Sequence, residues 1–379
     1  MKNIFVLLLT LCGIVGILIY PEVSCDSAEQ AIEMCLTVLV PTLFPFLVLS
    51  GIFIKCGFAE RLGRLLDRFT KKVFCVGGNC SSAMILGLVS GFPVGAKTVS
   101  SLYKNGACSK VEAERTLAFC NNAGPSFILG TVGVGIWQSG KTGWLLWAVQ
   151  IASAVFVGII VGRIWKGTAD TVVFVNTKNN IPQKQSVLHI FLSSVTDGAV
   201  SMLYICSFVV FFAVAVSLLL HTGLIPSISA AICKLFPFFE RETVENLLVG
   251  IFEMTTGVSR VGNSAPVLQN LAVTSALIGW AGISVHCQVL SYICDGGLSP
   301  KPYFIGKILQ TAFATALIFI CSFLIPGYKA DILPSSEIPQ ISVYALVCGA
   351  VVAFSLTVLF LLFRSKKQTE KTVKFSRKP

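Results

Sequence analysis

Of 379 residues, 54% are apolar and only 12% charged, and the mean hydropathy is +0.81. A soluble globular protein carries about twice that charge, so the composition excludes an ordinary soluble domain and indicates an all-α polytopic membrane protein. The formal charge of +11 does not argue for nucleic acid. Arg364, Lys366, Lys367, Lys371, Lys374, Arg377 and Lys378 form a tail behind an apolar run, where basic residues favour the cytoplasmic face and anionic lipid.

A hydrocarbon core about 30 Å thick takes roughly 20 helical residues to cross. Runs of that kind lie near 3–20, 37–56, 116–137, 142–163, 198–220, 269–292, 303–325 and 341–363, about eight transmembrane helices in all. An even number places both termini on one side, cytoplasmic by the basic tail. The first run, directly after Lys2, is expected to stay as an anchor; Val23-Ser24-Cys25 marks where a signal peptide would be cut.

Basic residues assign the sides. The loop 57–72 (Arg61, Arg64, Arg68, Lys71, Lys72) and the segment 163–184 (Arg163, Lys166, Lys178, Lys184) read as cytoplasmic. The segment 21–34, with Glu22, Asp26, Glu29 and Glu33, reads as an outward loop, as does 326–340. Fourteen cysteines, most of them inside apolar runs, read as small packing residues. No zinc spacing is present, and no metal is expected.

Two stretches do not fit simple crossing. Met84 to Ala96 would extend only about 20 Å as helix and is broken by Gly87, Gly91, Pro93 and Gly95, with basic residues on both flanks. The segment 246–260 is equally short and contains Glu253 and Arg260. Each is expected to form a re-entrant hairpin, entering from opposite faces. Leu86-Gly87-Leu88-Val89-Ser90 then lies over Val249-Gly250-Ile251-Phe252-Glu253. Gly95-Ala96-Lys97 lies over Val258-Ser259-Arg260 or the neighbouring Gly257, and Gly124-Pro125-Ser126-Phe127 over Gly282-Ile283-Ser284-Val285. An offset near 160 throughout describes an inverted-topology repeat. The expected organisation is an anchor and external segment (1–35), a first repeat (36–163), a cytoplasmic linker (164–197), a second, inverted repeat (198–325), and a last helix with its tail (326–379).

Irregular backbone at membrane depth is tolerated only beside protein or water, and half-helix ends aim unpaired N–H and C=O groups into the gap. Ser90, Gly91, Phe92, Pro93 and Gly95 on one hairpin, with Glu253, Thr255 and Thr256 on the other, are therefore candidates for binding a small polar or anionic solute. A carboxylate flanked by Ile251, Phe252 and Met254 must be paired, protonated or hydrated. Glu253 is thus either a coupling residue for H⁺ or Na⁺, a solute contact, a partner of Arg260 or a hairpin cap. Asn121, Asn122 and Ser126 interrupt one span; Ser284, His286 and Gln288, with Trp280 for stacking, line another. Lys97, Glu114 and Arg115 read as a solvated interfacial group. No HExxH, GxSxG, Walker A or GxGxxG motif is present, so neither an enzyme nor a bound cofactor is expected.

Residues 86–97 (LGLVSGFPVGAK), 112–128 (EAERTLAFCNNAGPSFI) and 282–289 (GISVHCQV) resemble the Gate-domain, or nucleoside-recognition, membrane proteins, in particular their sporulation integral membrane branch, across about 36–325. The resemblance implies kinship with concentrative nucleoside transporters, built from inverted repeats with two re-entrant hairpins. It implies a place in the outer forespore membrane and movement of dipicolinic acid from mother cell toward forespore. Ser90, Asn121, Asn122 and Glu253 occupy places comparable to the solute-holding residues of those transporters. Ser90-Gly91-Phe92-Pro93 lacks their acidic residue, which weighs against nucleoside specificity and sodium coupling. The related transporters form trimers, so the resemblance allows a homo-oligomer. The other reading is a non-transporting scaffold for assembly of the spore cortex and envelope.

Overall fold

The computed structural model describes residues 2–165, 186–237, 239–262 and 268–324, and every regular element among them is helical. Among the described residues, five helices are long and apolar enough to cross a membrane, or six if one bent pair counts as a single span. Their outer faces are greasy: Leu36, Leu49, Val200, Leu203 and Phe211 are exposed, as suits side chains that meet lipid rather than water. The protein is a multi-pass membrane protein. The expected span 341–363, the outward loop 326–340 and the basic tail lie outside the described residues.

Helix α1 (Lys2–Ile19) leads into α2 (Pro21–Met34), π1 (Cys35–Leu39) and α3 (Val40–Lys55). The last three join into one 35-residue rod. The expected external loop at 21–34 is therefore helix. Pro21 lacks an N–H exactly where a first helical turn needs none, and Glu22 faces the positive helix end. All four acidic side chains are exposed, while Ser24, Ala31, Cys35 and Leu39 form a buried stripe on the opposite face, the side against α9 (Val187–His221). Charge alone hid that stripe. Pro41 and Pro45 withhold two backbone donors from α3, and the widened π1 turn directly precedes them.

The expected basic loop at 57–72 is also helical, as α4 (Phe58–Val73). It exposes Leu65 and Phe69 alongside Arg68, Lys71 and Lys72, the mixture of an interfacial helix. The chain then bends by 92° into α5 (Gly78–Ser90), which is followed by α6 (Val94–Lys104). Next come α7 (Lys110–Cys120), π2 (Ser126–Ile136) and α8 (Gly140–Ile164). The expected span 116–137 is thus two 11-residue pieces parted at 121–125, neither long enough to cross alone. Ser109 and Glu112 cap α7 reciprocally.

Glu114 and Arg115 are not a solvated group. Glu114 is buried and accepts from Trp165 Nε1 (2.9 Å) and the Ser299 N–H (3.0 Å). Arg115 donates to the carbonyls of Trp165 and Cys75. Together they clasp the end of α8 to the loop before α15 (Lys301–Leu324).

Helix α9 begins eleven residues before the expected span at 198 and takes in part of the expected linker. It is followed by α10 (Leu224–Leu235), α11 (Arg241–Phe252), α12 (Met254–Gly262), α13 (Leu268–Trp280) and α14 (Gly282–Asp295). Helices α13 and α14 divide the expected span 269–292 at Ala281. One order of elements therefore occurs twice: long helix, short helix, helix pair with a broken tip, broken helix, long helix.

Candidate functional site

Both broken tips are built by close backbone contact. At the first, a β-carbon on Gly87 would lie 1.7 Å from the Cys120 carbonyl oxygen, so only glycine lets α5 reach α7. At the second, a β-carbon on Gly257 would lie 2.2 Å from Gly250 Cα. Gly87 packs on Gly95 within the first pair, and Gly250 on Gly257 within the second.

Helix α5 ends at Ser90, and Gly91 turns the chain with a φ of 78° before the cis Phe92–Pro93 bond. The tip is pinned to the break after α7. The Phe92 N–H donates to the Asn122 carbonyl (2.9 Å), and the Ala96 N–H donates to Asn121 Oδ1 (2.8 Å). Asn121 and Asn122 also donate to the carbonyls of Leu117 and Phe119. The Asn121 side chain and the Asn122 backbone carbonyl thus hold the first hairpin in place.

The second tip turns at Glu253, whose backbone is extended between α11 and α12. Its carboxylate accepts from the N–H groups of Thr255 (3.1 Å) and Thr256, capping α12. Arg260 instead donates to Asn246 Oδ1 (2.9 Å), so the expected alternative of a Glu253–Arg260 pair gives way to the hairpin cap. The backbone N of Met254 packs on Gly282, at the break between α13 and α14.

A cavity of about 50 Å³ lies between the tips. Eight of the fourteen expected site residues line it: Ser90, Gly91 and Phe92 from the first tip, Glu253 and Thr255 from the second, Ser126 beyond the first break, and Ser284 and Gln288 beyond the second. Leu39, Leu43 and Leu47 close one side, Ile205 and Val209 of α9 another. Among the described residues, the hydroxyls of Ser90 and Ser284 are buried with no hydrogen-bond partner. A buried polar group left so costs about 1–3 kcal/mol, which a bound solute or water would recover.

The other six lie apart from this cavity. Pro93 faces a second, larger one; Gly95 packs inside the first hairpin; Asn121 and Asn122 are committed as above. Thr256 gives its N–H to Glu253. His286 shares a 2.7 Å hydrogen bond with the Tyr303 hydroxyl through Nδ1, and Trp280 meets its ring edge-on.

Sequence reasoning missed a buried polar chain beside the first break. Lys307 of α15, 1% exposed, donates to the Asn121 carbonyl (3.2 Å) and to Gln310 Oε1 (3.0 Å). Gln310 donates to Asn122 Oδ1 (2.6 Å) and to Gln150 Oε1 (3.3 Å), and Gln150 to the Ser275 carbonyl (2.9 Å). The ammonium thus sits against the carbonyl end of α7, where the helix dipole favours a cation. A signal was available: a lysine inside the apolar run 303–325 asks for an explanation, and Gln150 and Gln310 stand 160 residues apart, the offset of the two halves.

The site and fold define a class: a multi-pass helical membrane protein in which two broken helix pairs meet around a small, partly polar cavity. Residues 36–137, which hold the first broken pair and the break at 121–125, match the Gate family, described as nucleoside recognition. It is similar to the sporulation integral membrane protein YlbJ of Bacillus subtilis (strain 168), with 28% identity over 79% of this chain and 78% of that protein. No solved structure matches it at a significant level.

Proposed function

We propose that this chain is a transporter that carries a small carboxylated solute across the membrane by alternating access, with the cavity between the two tips as its binding site. The carrying observation is the pair of unpartnered hydroxyls, Ser90 and Ser284, which line that cavity together with Glu253. Seven buried side-chain atoms among the described residues lack a partner, and the two on Ser90 and Ser284 converge on one cavity, where a ligand could satisfy both. At about 50 Å³ the cavity has room for a few waters, so the solute is held only once the tips part.

The repeated order of elements, the matched Gly87 and Gly250 and the Gln150–Gln310 contact support two halves of inverted topology, roughly 36–163 and 198–325, whose rocking would open the site to alternate sides. In that arrangement the two broken pairs are re-entrant hairpins from opposite faces, with Lys72 cytoplasmic and Glu240 outside. An impermeant thiol reagent should label a cysteine at 240 in intact cells and one at 72 only in inverted vesicles. Labelling of both from one face would refute the inversion.

The sporulation relative makes pyridine-2,6-dicarboxylate (dipicolinate) the first solute to try. Its two negative charges would repel an ionised Glu253, so a proton is the coupling ion that fits best. Uptake into vesicles holding the purified chain tests this, with uridine as comparison. Ser90→Ala/Ser284→Ala should raise the half-saturating concentration about tenfold, two hydrogen bonds of about 0.5–1.5 kcal/mol each being lost. No flux of either compound would leave the assembly-protein reading in place.

A further inference from the structure

The larger cavity, about 320 Å³, lies between α3, α5, α6 and α9 and shares Leu47 and Ser90 with the central one. Its volume falls in the range of small-molecule sites, whereas the central cavity is several times too small for an aromatic carboxylate. Three charged groups line it: Lys55, Lys97 and Asp197. Lys55 is spent, donating to Asp197 Oδ2 and to Ser193 Oγ, each at 2.7 Å. Lys97 is exposed, and no described residue accepts from its ammonium. Two cations against one anion leave the wall with one uncompensated positive charge, that of Lys97.

The hydroxyls around it sharpen the point. Ser82, Thr98, Ser101 and Ser201 all donate to carbonyls of their own helices. Asn79 donates to the Ala107 carbonyl. Donors left to a solute include Lys97 near the first turn of α6, the Tyr292 hydroxyl, and the unpartnered Ser90 hydroxyl at the boundary with the central cavity. Tyr292 adds an aromatic wall. A free ammonium, with the Asp197 carboxylate already paired to Lys55, suits an anion, and a ring beside it suits an aromatic one.

We propose that this vestibule is a docking site for an aromatic carboxylate, held by the Lys97 ammonium before Ser90 and Leu47 admit it to the central cavity. The proposal rests on the transport reading, and it assigns the first hairpin two tasks, capture on α6 and passage at the tip. Charge at a cleft mouth raises the local concentration of an oppositely charged solute, and added salt screens that gain.

The test is equilibrium binding of pyridine-2,6-dicarboxylate to the full-length chain in detergent, separate from flux. Lys97→Gln should weaken binding about fivefold and Lys97→Glu about twentyfold, while Lys97→Arg keeps wild-type affinity. Raising the salt should weaken wild-type binding and leave Lys97→Gln nearly unchanged. Wild-type affinity in Lys97→Gln, or no binding by the wild-type chain, overturns the vestibule site. Flux with Lys97-independent binding would leave transport standing without it. Lys97-dependent binding without flux would keep the site and sink transport.

Discussion

Glu253→Gln should cut solute flux into vesicles at least tenfold while the protein reaches the membrane in unchanged amount. Glutamine copies the shape of glutamate but has one acceptor oxygen where the carboxylate offers two. It can cap either the Thr255 or the Thr256 N–H, and its own NH₂ then points at the other donor. As the proposed proton-coupling group Glu253 must also gain and lose a proton, which the glutamine amide cannot do. A carboxylate that merely capped α12 would be replaced well by asparagine, a favoured residue at a helix start. Parallel measurement of flux and thermal midpoint in Glu253→Gln and Glu253→Asn separates the roles. Wild-type flux in either variant would reduce Glu253 to a cap.

Gly87→Ala should be the most damaging single methyl in the first half of the chain. The added carbon would sit 1.7 Å from the Cys120 carbonyl oxygen, a backbone atom that cannot swing aside. Overpacking costs about 1–3 kcal/mol where side chains yield, and more where they do not. Helix α5 must then move off α7, straining the Ala96–Asn121 and Phe92–Asn122 hydrogen bonds that pin the tip. The expected result is a thermal midpoint lowered by several degrees and loss of uptake. Gly140→Ala serves as control, since nothing lies within 4 Å of the carbon it would add. Equal behaviour of the two variants would contradict this packing.

Much of the centre was legible because glycine, proline and isolated polar residues inside apolar runs carry information that apolar residues do not. The breaks at Ser90–Pro93 and at Glu253, and eight of the cavity-lining residues, follow from such interruptions. Reading by charge failed where helices carry their charge on one face. The acidic side of α2 and the basic side of α4 both passed for loops, because the buried stripe of α2 and the greasy edge of α4 are too sparse to raise local hydropathy. The break at Ala281 left no mark in local hydropathy, since Trp280-Ala281-Gly282 is as apolar as its surroundings; only the match of Gly282 to Gly124 pointed there.

The direction of a side chain is a different kind of fact. Asn121 and Asn122 looked like solute contacts by type and place, yet their amides serve the hairpin, α7 and Gln310. Lys307, which the sequence reading passed over, is buried against a helix end.

By itself the sequence determined that the chain lives in a membrane, that two segments are too short to cross it, and that Glu253 lies in one of them. These follow from transfer energies and backbone stereochemistry, which act on each residue where it stands. Only the tertiary structure decided which polar groups have partners. That depends on contacts between residues 25 to 188 positions apart, and it leaves Ser90 and Ser284 open to the cavity while closing Asn121 and Asn122.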